Sequence, residues 1–350
     1  MPPLISICIP TYNGEDYLRE CLDSVLPQTF ADFEVLIVDD RSTDHTLQIA
    51  QSYAQQDSRI KVVQNSQNLG LVGNWNRCAE LAQGEWIKYV FQDDLIAPRC
   101  LEKMLAEVQE NTTLVCCRRD FIFSPNTAEK IKRFYQNIIS LHDRFPNGAN
   151  LSVEDFGQVI LSDIGHNFVG EPTTILVRRE AFYRFGGFNP HLIQICDLEF
   201  CCRIAVHTGI TYVPETLATF RLHQKSTSSK NHDERQYRVE VIDPLLLLHD
   251  FVFHPLYAPL RAIATQHSPS NPLAATLAQR AYRAKRRAQE QPNCLPIWTE
   301  TVELYPILPH LAKFNLMRDL SDYGRQTTRT LKHKVKTVLF PQPAVQAFEK

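Results

Sequence analysis

The sequence predicts an α/β protein: a mostly parallel, Rossmann-like sheet flanked by helices, followed by a helical C-terminal extension. Three observations carry this. Over the first 117 residues, short apolar runs alternate with amphipathic stretches at intervals of roughly 20 to 30 residues. Two of those runs end in paired acids, Asp39 with Asp40 and Asp93 with Asp94, where a buried strand has to emerge into a loop. After about Ser229 the strand-like runs give way to helical stretches separated by prolines, which divides the chain into domains of 1–229 and 230–350.

Residues 4–9 (LISICI) form a short apolar run closed by Pro10, a buried strand, and 10–14 (PTYNG) a loop. Residues 15–26 repeat apolar side chains at Tyr17, Leu18, Cys21, Leu22, Val25 and Leu26, the stripe of a helix lying on a sheet, ended by Pro27. Residues 33–38 are the second buried strand, after which Ser42 or Thr43 can cap a helix reaching about Ala54. Residues 60–63 give a third strand, Asn68-Leu69-Gly70 a break, and 72–82 a helix. The fourth strand, 86–91, has only Lys88 polar among aromatic and β-branched neighbours, the composition of a strand covered on both faces. A helix over 98–110 begins with Pro98 in its first turn, and 113–117 is a fifth strand. From 118 to 150 the pattern decays. Beyond it the spacing predicts a helix over 153–161, a strand over 173–177, a helix over 198–206 preceded by Asp197, and two short strands over 210–213 and 216–222.

Composition narrows the function. With 350 residues the chain buries roughly three quarters of its unfolded surface and needs neither disulfide nor metal to fold. A formal charge of −2 argues against general nucleic-acid binding, yet the charge is uneven. Residues 1–229 hold 20 basic and 28 acidic side chains, leaving 17 and 11 for the remainder. The ten cysteines fall singly or as adjacent pairs, without C-x-x-C spacing, mostly inside apolar runs. This is the usage of a reducing, cytoplasmic compartment. No stretch is long and apolar enough to span a membrane, and the N-terminus lacks a secretory signal pattern. The basic segments 280–287 and 325–336 read as solvated helix faces or, in the second reading, as a peripheral contact with the inner face of an anionic membrane.

Paired acids at one strand end are ordinary turn formers. Two such pairs in one alternating sheet repel each other in one crevice, and a hard divalent cation or a donor-rich ligand resolves the repulsion. A nucleoside diphosphate bridged through Mg²⁺ or Mn²⁺ supplies both.

The run from ISICIPTYNGEDYL through FEVLIVDDRSTDHT, then NLG, then GEWIKYVFQDD, resembles the nucleotide-sugar-binding half of the inverting family 2 glycosyltransferases with the GT-A fold. The resemblance covers about 5–105 and resumes over 170–228. It implies that Pro10, Thr11 and Tyr12 line the base pocket and that Asp40, with Asp39 beside it, accepts a hydrogen bond from a uracil or thymine imide. It places Asn68 and the Gly70 backbone near the nucleoside. In the family's D-x-D, Gln92 stands at the first position, Asp93 addresses the ribose or the metal shell, and Asp94 holds the metal. Cys196-Asp197-Leu198-Glu199 is similar to the family's E-D-x-D/E helix start, making Asp197 the general base and Cys196 a departure from glutamate. Arg221-Leu222-His223 is similar to R-x-H, which puts His223 on the metal and Arg221 on the diphosphate or, alternatively, in a structural ion pair. Glu171 is placed near the acceptor hydroxyl, and Trp75 reads as core.

These roles imply transfer of a sugar from a UDP or dTDP donor to a hydroxyl of a glycan, lipid-linked or other acceptor, in one metal-assisted displacement with inversion. The alternatives are a noncatalytic nucleotide-sugar-binding subunit and, remotely, a sugar nucleotidyltransferase. The latter needs a glycine-rich basic loop where this chain has PTYNG. Donor, acceptor, linkage and oligomeric state have no signature in the sequence.

Overall fold

The computed structural model describes residues 2–267 and 273–313. The basic segment 325–336 lies outside them. Two compact units are present, Met1–Leu277 and Ala278–Lys350.

The first unit opens as the alternation requires. β1 (Ile5–Thr11), β2 (Phe33–Asp39), β3 (Ile60–Gln64) and β4 (Trp86–Tyr89) pair in parallel, with α1 (Leu18–Val25), α2 (Thr46–Ala54) and α3 (Gly70–Leu81) as crossovers. Every residue of β1, β2 and β4 is buried, which is why these strands read as continuous apolar runs. α1 buries Leu18, Cys21, Leu22 and Val25, the stripe its spacing marks out.

After β4 come β5 (Leu95–Ile96), α4 (Cys100–Ala106), β6 (Leu114–Phe123), α5 (Glu129–Gln136), α6 (Leu141–Arg144), β7 (Ala149–Leu151) and α7 (Val153–Ser162). A 3-10 turn, Pro172–Thr174, leads into β8 (Ile175–Arg178), α8 (Glu180–Phe185), α9 (Cys196–Thr208) and β9 (Ile210–Leu222). The nine strands make one sheet in the order β3-β2-β1-β4-β8-β6-β9-β5, with β7 on β9. The sheet is mixed, with its long registers parallel and short antiparallel pairings added. β8 wedges antiparallel between β4 and β6, and β5 and β7 run antiparallel to β9. Strand–helix alternation specifies direction only while each strand follows its crossover, and β8 enters from a distant segment.

Two further differences have local causes. The expected strands 210–213 and 216–222 are one strand: Val213 pairs with Cys117 and Thr216 with Arg118, so Pro214 and Glu215 fall in a bulge where a missing N–H is tolerated. The stretch 118–150 holds the outer half of β6, two helices and β7; it seemed patternless because α5 buries no residue fully and β6 turns half-exposed beyond Cys117.

The first unit continues past Ser229 through α10 (Thr227–Glu234), a π turn at Arg238–Ile242, α11 (Asp243–Phe253) and α12 (Ala258–His267). α11 buries Leu245 to Leu248, and the Tyr257 hydroxyl before α12 donates to Glu199 of α9 at 2.8 Å. α13 (Leu273–Glu290) crosses the boundary, and the second unit continues with α14 (Leu295–Leu304) and α15 (Leu308–Leu311). Among the described residues no helix is long and apolar enough to cross a membrane. All ten cysteines are buried and unpaired.

Candidate active site

The ends of β1, β2 and β4 are sewn together by side chains. Thr11 is buried, its hydroxyl 3.4 Å from Asp39. Beyond it Tyr12 is half exposed, and its main chain is held from both sides by Gln92: the Tyr12 N–H donates to Oε1 at 2.9 Å, and Nε2 donates to the Tyr12 carbonyl at 3.1 Å. Asn13 adopts a left-handed backbone (φ 50°) and accepts from the Thr43 N–H at 2.8 Å, fastening this loop to the one after β2.

Asp39 and Asp40 are both buried and both serve these loops. Asp39 accepts from the Ser42 N–H and from Gln64. Asp40 accepts from Asn65 and from the Leu69 and Gly70 N–H groups at 2.8 to 2.9 Å, and Asn68 donates to its carbonyl. The expected neighbours Asp40, Asn68 and Gly70 are thus together, with the Asp40 carboxylate engaged by the protein itself. Pro10 lies within β1, paired with Val38.

At the end of β4 the structure separates two adjacent acids. Asp94 is fully buried; Thr173 donates a hydroxyl to one oxygen and the Arg221 N–H donates to the other at 3.0 Å. Burial, and then the charge of Asp93, raise its carboxyl well above the usual range. Each Asp94 oxygen thus accepts one hydrogen bond from the protein and keeps a further lone pair. Asp93 keeps part of its side chain exposed and lies 2.9 Å from His223 Nε2, whose ring rests against Tyr17. Arg221 is committed too: its guanidinium pairs with Glu20, donates to the Asp93 carbonyl at 2.9 Å and covers the Tyr17 ring. This is the ion-pair alternative for Arg221.

Asp197 lies in the first turn of α9, 8% exposed, and accepts from Asn167 at 3.2 Å and from the Leu198 N–H. Burial, and then the charge of Glu171, push its carboxyl up to about 7. Ile195, not Asp197, is the N-cap, without a side-chain bond. Cys196, where the family has glutamate, is buried at 1% exposure. Glu199 and Arg203, one turn apart, form a buried two-pronged pair at 2.9 Å, and the same guanidinium donates to the Phe185 and Gly187 carbonyls. That fixes the Gly186–Gly187 turn, and Asn76 pairs with both main-chain groups of Phe188. Trp75 packs on Phe91 and Phe188, as core.

One short segment links the two halves. Within 170–174, Glu171 is the charge felt by Asp197, while Thr173 binds Asp94. The Thr173 carbonyl in turn accepts from the fully buried Lys88 ammonium. Sequence reasoning passed over Thr173, Asn167, Tyr17 and Arg119, because single hydroxyls, amides and surface-type residues form no pattern. Among the described residues no three His, Cys, Asp or Glu side chains gather as a metal cluster.

A family model described as glycosyl transferase family 2 matches residues 6–186. An uncharacterized protein of Mycobacterium tuberculosis is 30% identical over 234 residues, 65% of this chain and 69% of that protein. A chondroitin synthase of Escherichia coli is 26% identical over 245 residues, 70% of this chain and 33% of the synthase. The chain also spans about a third of the putative glycosyltransferase EpsH of Bacillus subtilis, at 41% identity. Among solved structures, S. aureus TarS 1–349 in complex with UDP-GlcNAc matches with a TM-score of 0.55 at 20% identity, over 81% of this chain and 80% of that one. The mannosyltransferase PcManGT from Pyrobaculum calidifontis, in complex with GDP-Man and Mn²⁺, matches at 0.51 and 18%, over 90% and 88%.

Proposed function

The chain belongs to glycosyl transferase family 2, and from that premise we propose that it moves a sugar from a nucleoside diphosphate to an acceptor hydroxyl by a single inverting displacement, with Asp197 as general base. The observation that carries the reading is Asp197 itself: a buried carboxyl raised to about 7, the range a base needs near neutral pH, in the family's expected place. Asn167 and the Leu198 N–H each hold one of its oxygens, and each oxygen keeps a further lone pair that can take the acceptor's proton as the acceptor oxygen attacks the anomeric carbon. A positioned base of this kind contributes about 10² to 10⁴ in rate.

The donor's nucleoside side belongs to the Tyr12 loop clamped by Gln92 and to the Asp40–Asn68–Gly70 junction. UDP in the TarS complex supports a uridine carrier, and GDP-Man in PcManGT keeps a guanosine carrier in view. Asp93 and His223 fit a divalent cation: a carboxylate oxygen and an imidazole nitrogen 2.9 Å apart, with room in the shell for diphosphate oxygens. Bound there, Mg²⁺ or Mn²⁺ would neutralise charge on the departing diphosphate. The Asp94 carboxylate supports this site from beneath through Arg221 and Thr173.

The test is Asp197→Asn assayed with a panel of nucleotide sugars. Loss of transfer with UDP–Mn²⁺ binding retained is expected; transfer at wild-type rate would refute the assignment. A glycan or lipid-linked acceptor is read by adding such acceptors to the panel, and peripheral membrane contact through the basic C-terminal region by sedimentation with anionic vesicles.

A further inference from the structure

On β6, two residues past the apolar part of the strand, Arg119 is driven into the interior. Its side chain is 4% exposed, and its Nε lies 2.7 Å from Glu171 Oε2. The pair is not aligned as a hydrogen bond. Arg119 Nε and Nη2 and Glu171 Oε2 are all buried without a hydrogen-bond partner among the described residues. The two charges pair with each other, but hydrogen-bonding capacity is left over, most plainly at Arg119 Nη2; a buried donor left unmade costs on the order of 1 to 3 kcal/mol, and a native site that retains one calls for a reason.

The guanidinium is also held in place. The Phe121 ring lies 5.4 Å beneath its carbon. On the other side Gly170, at φ +110°, leaves the room it needs, since a Cβ there would stand 2.7 Å from Nη1. Glu171 keeps 15% of its side chain open, so the pair is reached from the carboxylate side. The Asn167 amide donates both to the carbonyl of Gly170, next to Glu171, and to Asp197, which brings the base alongside this segment; Glu171 raises the Asp197 carboxyl and Arg119 lowers it. Tyr135 of α5 shares the same surroundings, its hydroxyl acidity reduced by burial and then by Glu171.

We propose that Arg119 and Glu171 together bind neighbouring hydroxyls of an uncharged sugar ring on the acceptor, next to the hydroxyl that Asp197 deprotonates. This rests on the base assignment above. Donor and acceptor groups presented side by side match a sugar hydroxyl, which both donates and accepts. The charge balance favours a neutral ring: the Arg119–Glu171 pair sums to zero, and Asp197 must be ionised to act as base, so a uronate or a phosphate ester would meet repulsion in the reactive state. The acceptor is meant, not the donor, because the donor's expected contacts lie at the ends of β1, β2 and β4 and at Asp93 and His223, whereas this pair adjoins the base.

The experiment is saturation-transfer NMR on the full chain with UDP and Mn²⁺. The probes are methyl glycosides of glucose, galactose, mannose and N-acetylglucosamine, with methyl glucuronide and glycerol phosphate as charged controls. At least one neutral glycoside is expected to bind, with Kd weakened tenfold or more in both Arg119→Met and Glu171→Gln, and neither charged probe should bind. The double variant, which leaves no unpaired charge, guards against misfolding, and UDP binding reports that each variant is folded. Neutral glycosides bound equally well by the variants would overturn the proposal. So would preference for a charged probe, or UDP binding by the wild type without any neutral glycoside. Failure of the wild type to bind UDP would instead refute the family-based donor reading.

Discussion

If Asp197 is the base, the pH dependence of turnover should be set by its ionisation and should respond to Glu171. A carboxyl with a pKa of about 7 is about one tenth ionised at pH 6 and about nine tenths at pH 8, so kcat/KM should climb roughly tenfold over that interval. Glu171→Gln removes the second cause of the raised value and leaves the first, burial, so the rising limb should move to lower pH without reaching the ordinary carboxylate range. The same shift has a consequence for stability. Its folded pKa lies about three units above the ordinary 3.8, so between those values the folded state holds a proton the unfolded chain has released. Stability from this group is complete below about pH 4 and is lost as pH rises through 7, on the order of 4 kcal/mol in all. Asp197→Asn should therefore gain Tm relative to wild type at pH 8 and lose that gain at pH 4. The assays are nucleotide release between pH 5 and 9 and thermal unfolding across pH 4 to 8. A flat profile between pH 6 and 8, or a limb unmoved or raised in Glu171→Gln, would refute the reasoning.

Other outcomes follow from the same geometry. Asp93→Ala and His223→Ala should each raise the Mn²⁺ concentration needed for half-maximal turnover by tenfold or more, as metal titration would read; an unchanged requirement would remove them from the metal. Asp94→Ala should instead lower Tm, because it leaves the Thr173 hydroxyl and the Arg221 N–H without their acceptor. Arg203→Met strands the buried Glu199 carboxylate and should cost about 3 to 5 kcal/mol in urea unfolding; a loss below 1 kcal/mol would mean the pair is dispensable. Gln92→Glu keeps the acceptor for the Tyr12 N–H but sets a carboxylate against the Tyr12 carbonyl. UDP affinity should fall about fivefold, roughly 1 kcal/mol, by calorimetry, and equal affinity would dismiss the clamp.

The parallel half of the sheet was legible because its strands are buried on both faces and their helices carry clean stripes. The pairing of acids at two strand ends was legible for the same reason: the pattern shows where buried strands stop. Which acid of a pair does what was not. Asp93 and Asp94 differ only in direction, and direction is decided by partners far away in the chain, His223 for one and Thr173 with Arg221 for the other. Arg221 likewise was open between a phosphate and an ion pair, and its partner, Glu20 on α1, lies two hundred residues away in the chain. Arg119 followed an apolar strand and carried no motif. β8 could be placed as a strand but not as an antiparallel wedge, since nothing local records the direction of entry.

The segment from Glu171 to Thr173 carries at one end a charge that acts on Asp197 and at the other a hydroxyl bonded to Asp94. Two residues extend at most about 7 Å, so under the proposed roles the side of proton removal and the side of leaving-group departure are tied through a short covalent span, with the Lys88 ammonium pinning its far end. A ruler of that kind tolerates substitutions along it better than changes in its length. Lengthening it by one residue would slide Glu171 away from Asp197 while every side chain remained present, and the enzyme would bind both substrates yet hold them out of step.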